Sequence, residues 1–331
     1  MGTGRHVTTL RDGLVQAGHV VITVPYQGSF FGYCLRAIRM AKGCDVVHAI
    51  DMNPLGFAAY IATLFSNAKL VITAQGTYAV APLHNRKTAW LSRMVYRRAA
   101  LIVAISAYTA DLIRAEVPEV RIEIISPGID LSKFKLNEPS EKKRAIDYVL
   151  SVGAVKPRKG YDVSLRAFAL AQRELPNLRY IIVGSYAETS GYFEKLRVVV
   201  RGLGLEKSVE FKKGVSDSEL NQLYDNAALF ILTSVNQGFH FEGFGMVFIE
   251  AAAHGVPGVG TKGNGIENAI KDGVTGILVP QKDPEATASA IKRLLHDRVL
   301  YERMSEAARD FACEHDQRDF AKQYERVYQT L

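Results

Sequence analysis

The stretch FEGFGMVFIE, residues 241–250, places two carboxylates, Glu242 and Glu250, eight positions apart with apolar residues between them. Paired acids first suggest a glycoside hydrolase, whose carboxyl groups stand ~5 to 9.5 Å apart around one bond. On a continuous helix, eight residues at ~1.5 Å rise separate them by about 12 Å, too far for that chemistry. The spacing instead predicts two acids that touch different parts of one long ligand. Glu250 lies in MVFIEAAAHG, an otherwise apolar helical run. A carboxylate there is costly unless it accepts hydrogen bonds, from ligand hydroxyls or from backbone donors. A capped structural acid is the plainer alternative.

Other residues fit a charged, elongated ligand. Arg158 and Lys159 fall in VGAVKPRKG (152–160), after an expected strand and before an expected helix. Cations at a strand's C-terminal end can neutralise a diphosphate, although a solvated basic pair is the commoner meaning of such a dipeptide. Gly184 ends the strand-like IIVG and leaves room for backbone to approach a ligand. Gly2 and Gly4 in GTGRHV open a helix whose first N–H groups could receive phosphate, with a tight turn as the equal alternative. A second glycine-rich turn lies in TKGNGIENAIKDGVTGILVP, residues 261–280. No Asp-x-Asp or Cys/His spacing offers a metal site, and no resident cofactor is expected.

These groups need elements to hold them. Strand candidates in the first half are 19–24, 45–50, 69–74, 100–106 and 121–126, mostly near-continuous apolar runs, as strands buried on both faces should be. Helical patterns at 5–17, 54–66, 88–99 and 107–116 alternate with them. The polar stretch KLNEPSEKKRA (135–145) reads as a linker. Strands then recur at 147–153, 179–184, 208–214, 227–234, 255–261 and 275–280. Helices follow at 160–174, 192–203, 217–226, 246–254, 284–296 and 300–312, with a further helix at the end of the chain. Alternation of this kind predicts an α/β fold of two Rossmann-like domains with parallel sheets, residues 1–140 and 141–331, facing a cleft. The last helix is expected to pack back on the first domain. Only Met1 precedes the first glycine turn, so a first N-terminal strand is expected to be absent.

Composition narrows the function. The 331 residues carry a formal charge of +7. Residues 1–135 hold 15 Lys+Arg against 8 Asp+Glu, while the remainder is balanced at 26 against 26. The excess includes RAIRMAK (36–42) and RKTAWLSRMVYRR (86–98), a solvated helix face or a surface for an anionic acceptor or lipid headgroup. No nucleic-acid recognition motif accompanies it. Three scattered cysteines, no secretory leader and no 18-residue apolar run point to a cytoplasmic protein with reduced thiols.

Taken in order, the motifs resemble the family 4 retaining glycosyltransferases, which have the GT-B fold, over essentially the whole chain. The Glu-x7-Glu motif (Glu242 and Glu250) and Lys159-Gly160 carry most of the likeness. GTGRHV, DVVHA, VAISAYTADLI, SPGIDLSKF and DGVTGILVP support it. The resemblance implies that Glu242 contacts hydroxyls of the donor sugar and that Glu250 holds the ribose. Arg158 and Lys159 would clamp the diphosphate. Backbone N–H groups around Phe244, Gly245 and Met246 would help at the diphosphate or sugar, with Gly2 and Gly4 facing it from the other domain.

There are departures from the family pattern. Its Gly-Arg is Gly153-Ala154 here, its His-Gly is Gln75-Gly76, and its GGxPE loop is GNGIEN, which leaves Glu267 without an assigned role. Gln75 can hydrogen-bond but cannot become cationic. It and His48 are the acceptor-side candidates, His48 equally readable as a satisfied core histidine. The implied function is metal-independent, retaining transfer of a sugar from a nucleotide diphosphate sugar to a hydroxyl acceptor. That acceptor would be a glycolipid, polysaccharide or small molecule, anionic or lipid-linked, at the inner membrane face. Gln75 and Ala154 motivate an alternative, a non-catalytic sugar-nucleotide-binding subunit. An epimerase on the same fold is another.

Overall fold

The structure is a computed structural model that describes residues 2–134 and 148–331. The expected linker, 135–145, lies outside the described residues. The chain divides into two compact units, one formed by Met1–Gly128 with His315–Leu331, the other by Ile129–Glu314. The division therefore falls at 128/129 rather than 140/141. Ile129 is buried and the Phe134 ring meets His254 edge-on at 5.2 Å, so this segment packs with the second unit.

The first unit runs α1 (Gly2–Gln16), α2 (Phe30–Ala41), β1 (Val46–Ile50), α3 (Phe57–Thr63), β2 (Lys69–Ala74), α4 (Thr77–His84), α5 (Ala89–Arg98), β3 (Leu101–Ala104), α6 (Ala107–Glu116) and β4 (Ile122–Ile124). Its sheet is parallel throughout, in the order β1-β2-β3-β4. β3 is buried along its whole length, as helix-covered parallel strands should be. The apolar run 19–24 forms no strand, contrary to expectation. Among the described residues no neighbour pairs with it, and Val20 is 93 % exposed. Apolar content alone does not make a strand; a ladder partner does. Helices α2 and α4 carried no helix expectation from their patterns. Ser29 caps α2 by accepting the Gly32 N–H at 3.2 Å.

The second unit runs β5 (Tyr148–Val152), α7 (Tyr161–Gln172), β6 (Arg179–Val183), α8 (Gly191–Gly202), β7 (Val209–Lys212), α9 (Asp217–Asn226), β8 (Leu229–Leu232), α10 (Met246–Ala253), β9 (Gly258–Thr261), β10 (Gly276–Val279), α11 (Pro284–His296) and α12 (Arg298–Cys313). Its six parallel strands are ordered β10-β9-β8-β5-β6-β7. The order reverses beside β5, which pairs with β6 on one side and β8 on the other. Ligands of open parallel sheets bind at such a reversal, beyond the C-terminal strand ends.

The closing helix α13 (Gln317–Gln329) belongs to the first unit, packed on α1. Gly13 lets it approach, since a Cβ there would lie 2.2 Å from that of Ala321. Phe320 and Tyr324 join Leu10, Leu14, Val71, Leu101, Val103 and Ile125 in one buried cluster.

Candidate functional site

The topological reversal in the second unit gathers the expected cations and one of the acids. The chain leaves β5 at Gly153, makes a tight turn over Pro157–Lys159, and enters α7 through Gly160 at φ +67°. A side chain at Gly160 would be doubly opposed, by that conformation and by the Thr233 carbonyl 1.9 Å from its Cβ. Thr233 and Val235, just beyond β8, hold the turn: Thr233 Oγ1 donates to the Gly160 carbonyl at 2.7 Å, and the Val235 N–H donates to the Arg158 carbonyl at 2.8 Å. The turn carrying Arg158 and Lys159 is thus held by a hydroxyl and a backbone N–H from the segment after β8, which a solvated basic pair would not require.

Both cations meet Glu242. The Lys159 ammonium donates to Glu242 Oε2 at 2.7 Å and the Arg158 guanidinium to the same oxygen at 2.9 Å, with Ser234 Oγ a third donor at 3.3 Å. Among the described residues all three hydrogen bonds to this carboxylate converge on Oε2. Burial pushes the Glu242 carboxyl up, but the charges and hydrogen bonds of Lys159 and Arg158 outweigh it and hold the group below the usual carboxylate range. Lys159 is itself only 8 % exposed. The three form a partly buried cluster with net positive charge beyond the C-terminal ends of β5 and β8.

The loop carrying Glu242 is stitched down from its far side. Gly265 N–H donates to the Glu242 carbonyl at 2.8 Å, and a Cβ on Gly265 would lie 2.0 Å from the Gly243 carbonyl. Asn264 accepts from Ile266 N–H and donates to Thr261 Oγ1, which donates to the Ser234 carbonyl. Ser234, Thr261 and Asn264 are fully buried, so this polar network is held rigidly. The sequence reading assigned no role to these three or to Thr233. Their only signal was a polar residue at the end of an apolar strand or in a glycine turn.

Glu250 lies on α10 and is partly buried, where Tyr224 OH donates to its Oε2 at 3.1 Å. Burial, with the Glu250 charge next, pushes the Tyr224 hydroxyl well up, so it stays a donor. The continuous helix assumed between the two acids does not exist, because α10 begins only at Met246. Gly245, at φ +95°, turns the chain there, and Phe244 is buried before it. Glu242 is placed by its loop contacts, not by helical spacing.

Other expected site residues take different positions. Gly184 is explained by packing within the unit, as a Cβ there would sit 1.9 Å from the Gly153 carbonyl. Gly2 and Gly4 open a helix as expected, forming the first turn of α1. His48 Nε2 pairs with Thr73 Oγ1 at 2.8 Å and its Nδ1 with Tyr328 OH at 2.7 Å. Burial pushes it down to about 3, so it is a neutral histidine with both ring nitrogens engaged, as the core-histidine alternative expected. Gln75 gives its backbone N–H to Asp51 Oδ1 at 2.8 Å. Glu267 is exposed and accepts the Gly263 N–H at 2.5 Å. Asp51, at the end of β1, is 7 % exposed, and burial raises its carboxyl to about 6. Its φ of 72° and ψ of 162° fall in a region adopted essentially by glycine alone, at a cost of roughly 1–3 kcal/mol. Among the described residues no group of three or more His, Cys, Asp or Glu is placed to hold a metal ion.

Two parallel-sheet α/β units, the second with cations and an acid at its topological reversal, define a GT-B glycosyltransferase. The family model for glycosyl transferases group 1 matches residues 130–311 and that for glycosyltransferase family 4 matches 23–133. The chain belongs to the group 1 glycosyltransferases, enzymes that move a sugar from a nucleotide sugar to an acceptor. It is 28 % identical over 283 residues to a GDP-mannose-dependent alpha-(1-6)-phosphatidylinositol monomannoside mannosyltransferase of Mycolicibacterium smegmatis, covering 80 % of this chain and 72 % of that protein. It is 31 % identical over 244 residues to a D-inositol 3-phosphate glycosyltransferase of Corynebacterium urealyticum, covering 70 % of this chain and 56 % of that one. The fold is also that of Anabaena Alr3699/HepE in complex with UDP-glucose, with a TM-score of 0.77, 21 % identity, and 97 % of this chain and 89 % of that chain covered.

Proposed function

We propose that the chain transfers a sugar from a nucleoside diphosphate sugar to an anionic or lipid-linked hydroxyl acceptor, with retention and without a divalent metal. The observation that carries this reading is the convergence of Lys159 and Arg158 on Glu242 Oε2. A buried ammonium and a partly buried guanidinium held by one carboxylate leave positive charge to receive a diphosphate, the role a metal would otherwise fill. Glu242 Oε1 is then the atom for donor-sugar hydroxyls, and Glu250, with its orientation fixed by Tyr224, is the acid for the ribose. The N–H groups of Gly245 and Met246 at the start of α10 add dipolar stabilisation. In the reaction the bond from the anomeric carbon to the leaving phosphate oxygen breaks. The acceptor oxygen bonds to that carbon from the same face, and its proton passes to the departing phosphate. Lys159 and Arg158 stabilise the charge that appears there.

The first unit is the acceptor side in this reading. Support comes from its excess of basic residues and from relatives whose names specify inositol phosphate or phosphatidylinositol-based acceptors. The exposed residues Phe30, Phe31, Leu35, Arg36, Arg39 and Lys42, on and just after α2, would give the chain peripheral contact with an anionic membrane at the cytoplasmic face. Among the described residues no helix is long and apolar enough to cross a membrane. The test of the reaction is release of nucleoside diphosphate from GDP-mannose and UDP-glucose in EDTA, with Lys159→Ala as the control. Turnover that persists in EDTA and collapses in the variant supports the reading. Turnover abolished by EDTA, or unchanged in the variant, overturns it.

A further inference from the structure

Asp51 is a buried titratable group that the reading above does not use. It stands at the C-terminal end of β1, beside the end of β2, where Gln75 and Gly76 lead into α4. Its Oδ1 accepts the Gln75 N–H, the one hydrogen bond to this carboxylate among the described residues. A carboxylate has room for about four donors, and Oδ2 is not among the atoms buried without a partner, so it is open to a further donor from outside the chain. Its backbone is also held in a conformation that glycine alone adopts freely. A glycine at 51 would fit the chain path better, and an asparagine would keep the bond to Gln75. Neither substitute supplies a second anionic oxygen at the strand end. Strain and desolvation at one residue, both attached to a carboxylate, point to a ligand for that carboxylate rather than to packing.

We propose that Asp51 is an acceptor-binding residue, its Oδ1 tied to the Gln75 turn and its Oδ2 receiving a hydroxyl of the acceptor. The Gln75-Gly76 turn and Asp51 then form one subsite for a polyhydroxylated acceptor at the β1 and β2 ends. This rests on the first unit being the acceptor side. It does not depend on Lys159 and Glu242, which lie in the other unit.

The experiment compares wild type, Asp51→Asn and Asp51→Gly in steady-state transfer. The acceptor is whichever of D-inositol 3-phosphate, phosphatidylinositol vesicles and glycerol gives the fastest wild-type transfer. KM is measured separately for acceptor and donor, beside melting temperature. The expected result is an acceptor KM raised at least tenfold in both variants, a donor KM within about twofold of wild type, and a melting temperature for Asp51→Gly equal to or above wild type. Full rescue by Asp51→Asn would overturn the proposal, since holding the Gln75 turn would then be the residue's whole role. A rise in donor KM with acceptor KM unchanged would also overturn it, and would displace the acceptor-side assignment of the first unit. Loss of stability in Asp51→Gly would show that the strain serves packing.

Discussion

At the scale of single residues, Lys159, Arg158 and Glu242 are coupled, and none can be altered alone. Removing the Glu242 charge leaves a buried ammonium and a partly buried guanidinium without their counter-ion, whereas an incoming diphosphate would replace it. Glu242→Gln should therefore lose roughly 2–4 kcal/mol, a fall in melting temperature on the order of 5–10 °C for a domain of this size. Added nucleoside diphosphate should restore more stability to the variant than to wild type. A thermal-shift titration with GDP and UDP checks this, and equal stabilisation of the two proteins would contradict it. The cations were singled out by their position after a strand, and the two acids by their spacing and the apolar run around Glu250. Their mutual contact was not, because Arg158 and Glu242 are 84 positions apart and meet only where β5 pairs with β8. Ser234, Thr261 and Asn264 were illegible for a related reason: a buried polar residue becomes informative only once its partners are known.

At the scale of elements, long buried strands and most helices were easy to read, whereas α2, α4 and the lone apolar run 19–24 were not. Residues 69–74, 101–104 and 229–232 are strands because each has partners that satisfy its backbone. Residues 19–24, also an apolar run, have none among the described residues. The helix assumed between Glu242 and Glu250 was not legible as broken, since Gly245 makes α10 begin at Met246, four residues after Glu242. For α2, Phe31, Leu35, Arg36, Arg39 and Met40 are exposed on one short helix, and Lys42 follows it. Each cation near an anionic surface contributes about 1 kcal/mol, and salt screens it. Arg36→Glu/Arg39→Glu should cut co-sedimentation with phosphatidylinositol vesicles roughly tenfold or more at low salt, while wild-type binding fades as salt rises. Equal binding by both proteins, or binding indifferent to salt, would contradict the membrane contact.

For the molecule as a whole, pH should act through the first unit. His6 and His48, both engaged with the α13 tyrosines, are held down to about 4 and about 3 by burial. Unfolded, each takes a proton near pH 6.5. Both groups bind fewer protons when folded, so their stability contribution is complete above about pH 6.5 and declines as pH falls toward 4. Asp51 works the other way, since its raised carboxyl binds a proton in the fold near pH 6 and offsets part of the loss. Melting curves should show the first unit losing stability between pH 7 and 5. In His48→Gln the slope should be shallower, from a lower value at pH 7. A slope unchanged by the substitution would remove His48 from the account.

The most direct test of the central claim is kcat for donor turnover in Lys159→Ala, measured in EDTA on a variant whose melting curve confirms that it is folded. If the Lys159, Arg158 and Glu242 cluster stabilises the departing diphosphate, kcat should fall by about 10²- to 10³-fold, the usual consequence of removing one group that faces developing negative charge. A folded Lys159→Ala protein that keeps wild-type kcat would contradict the account.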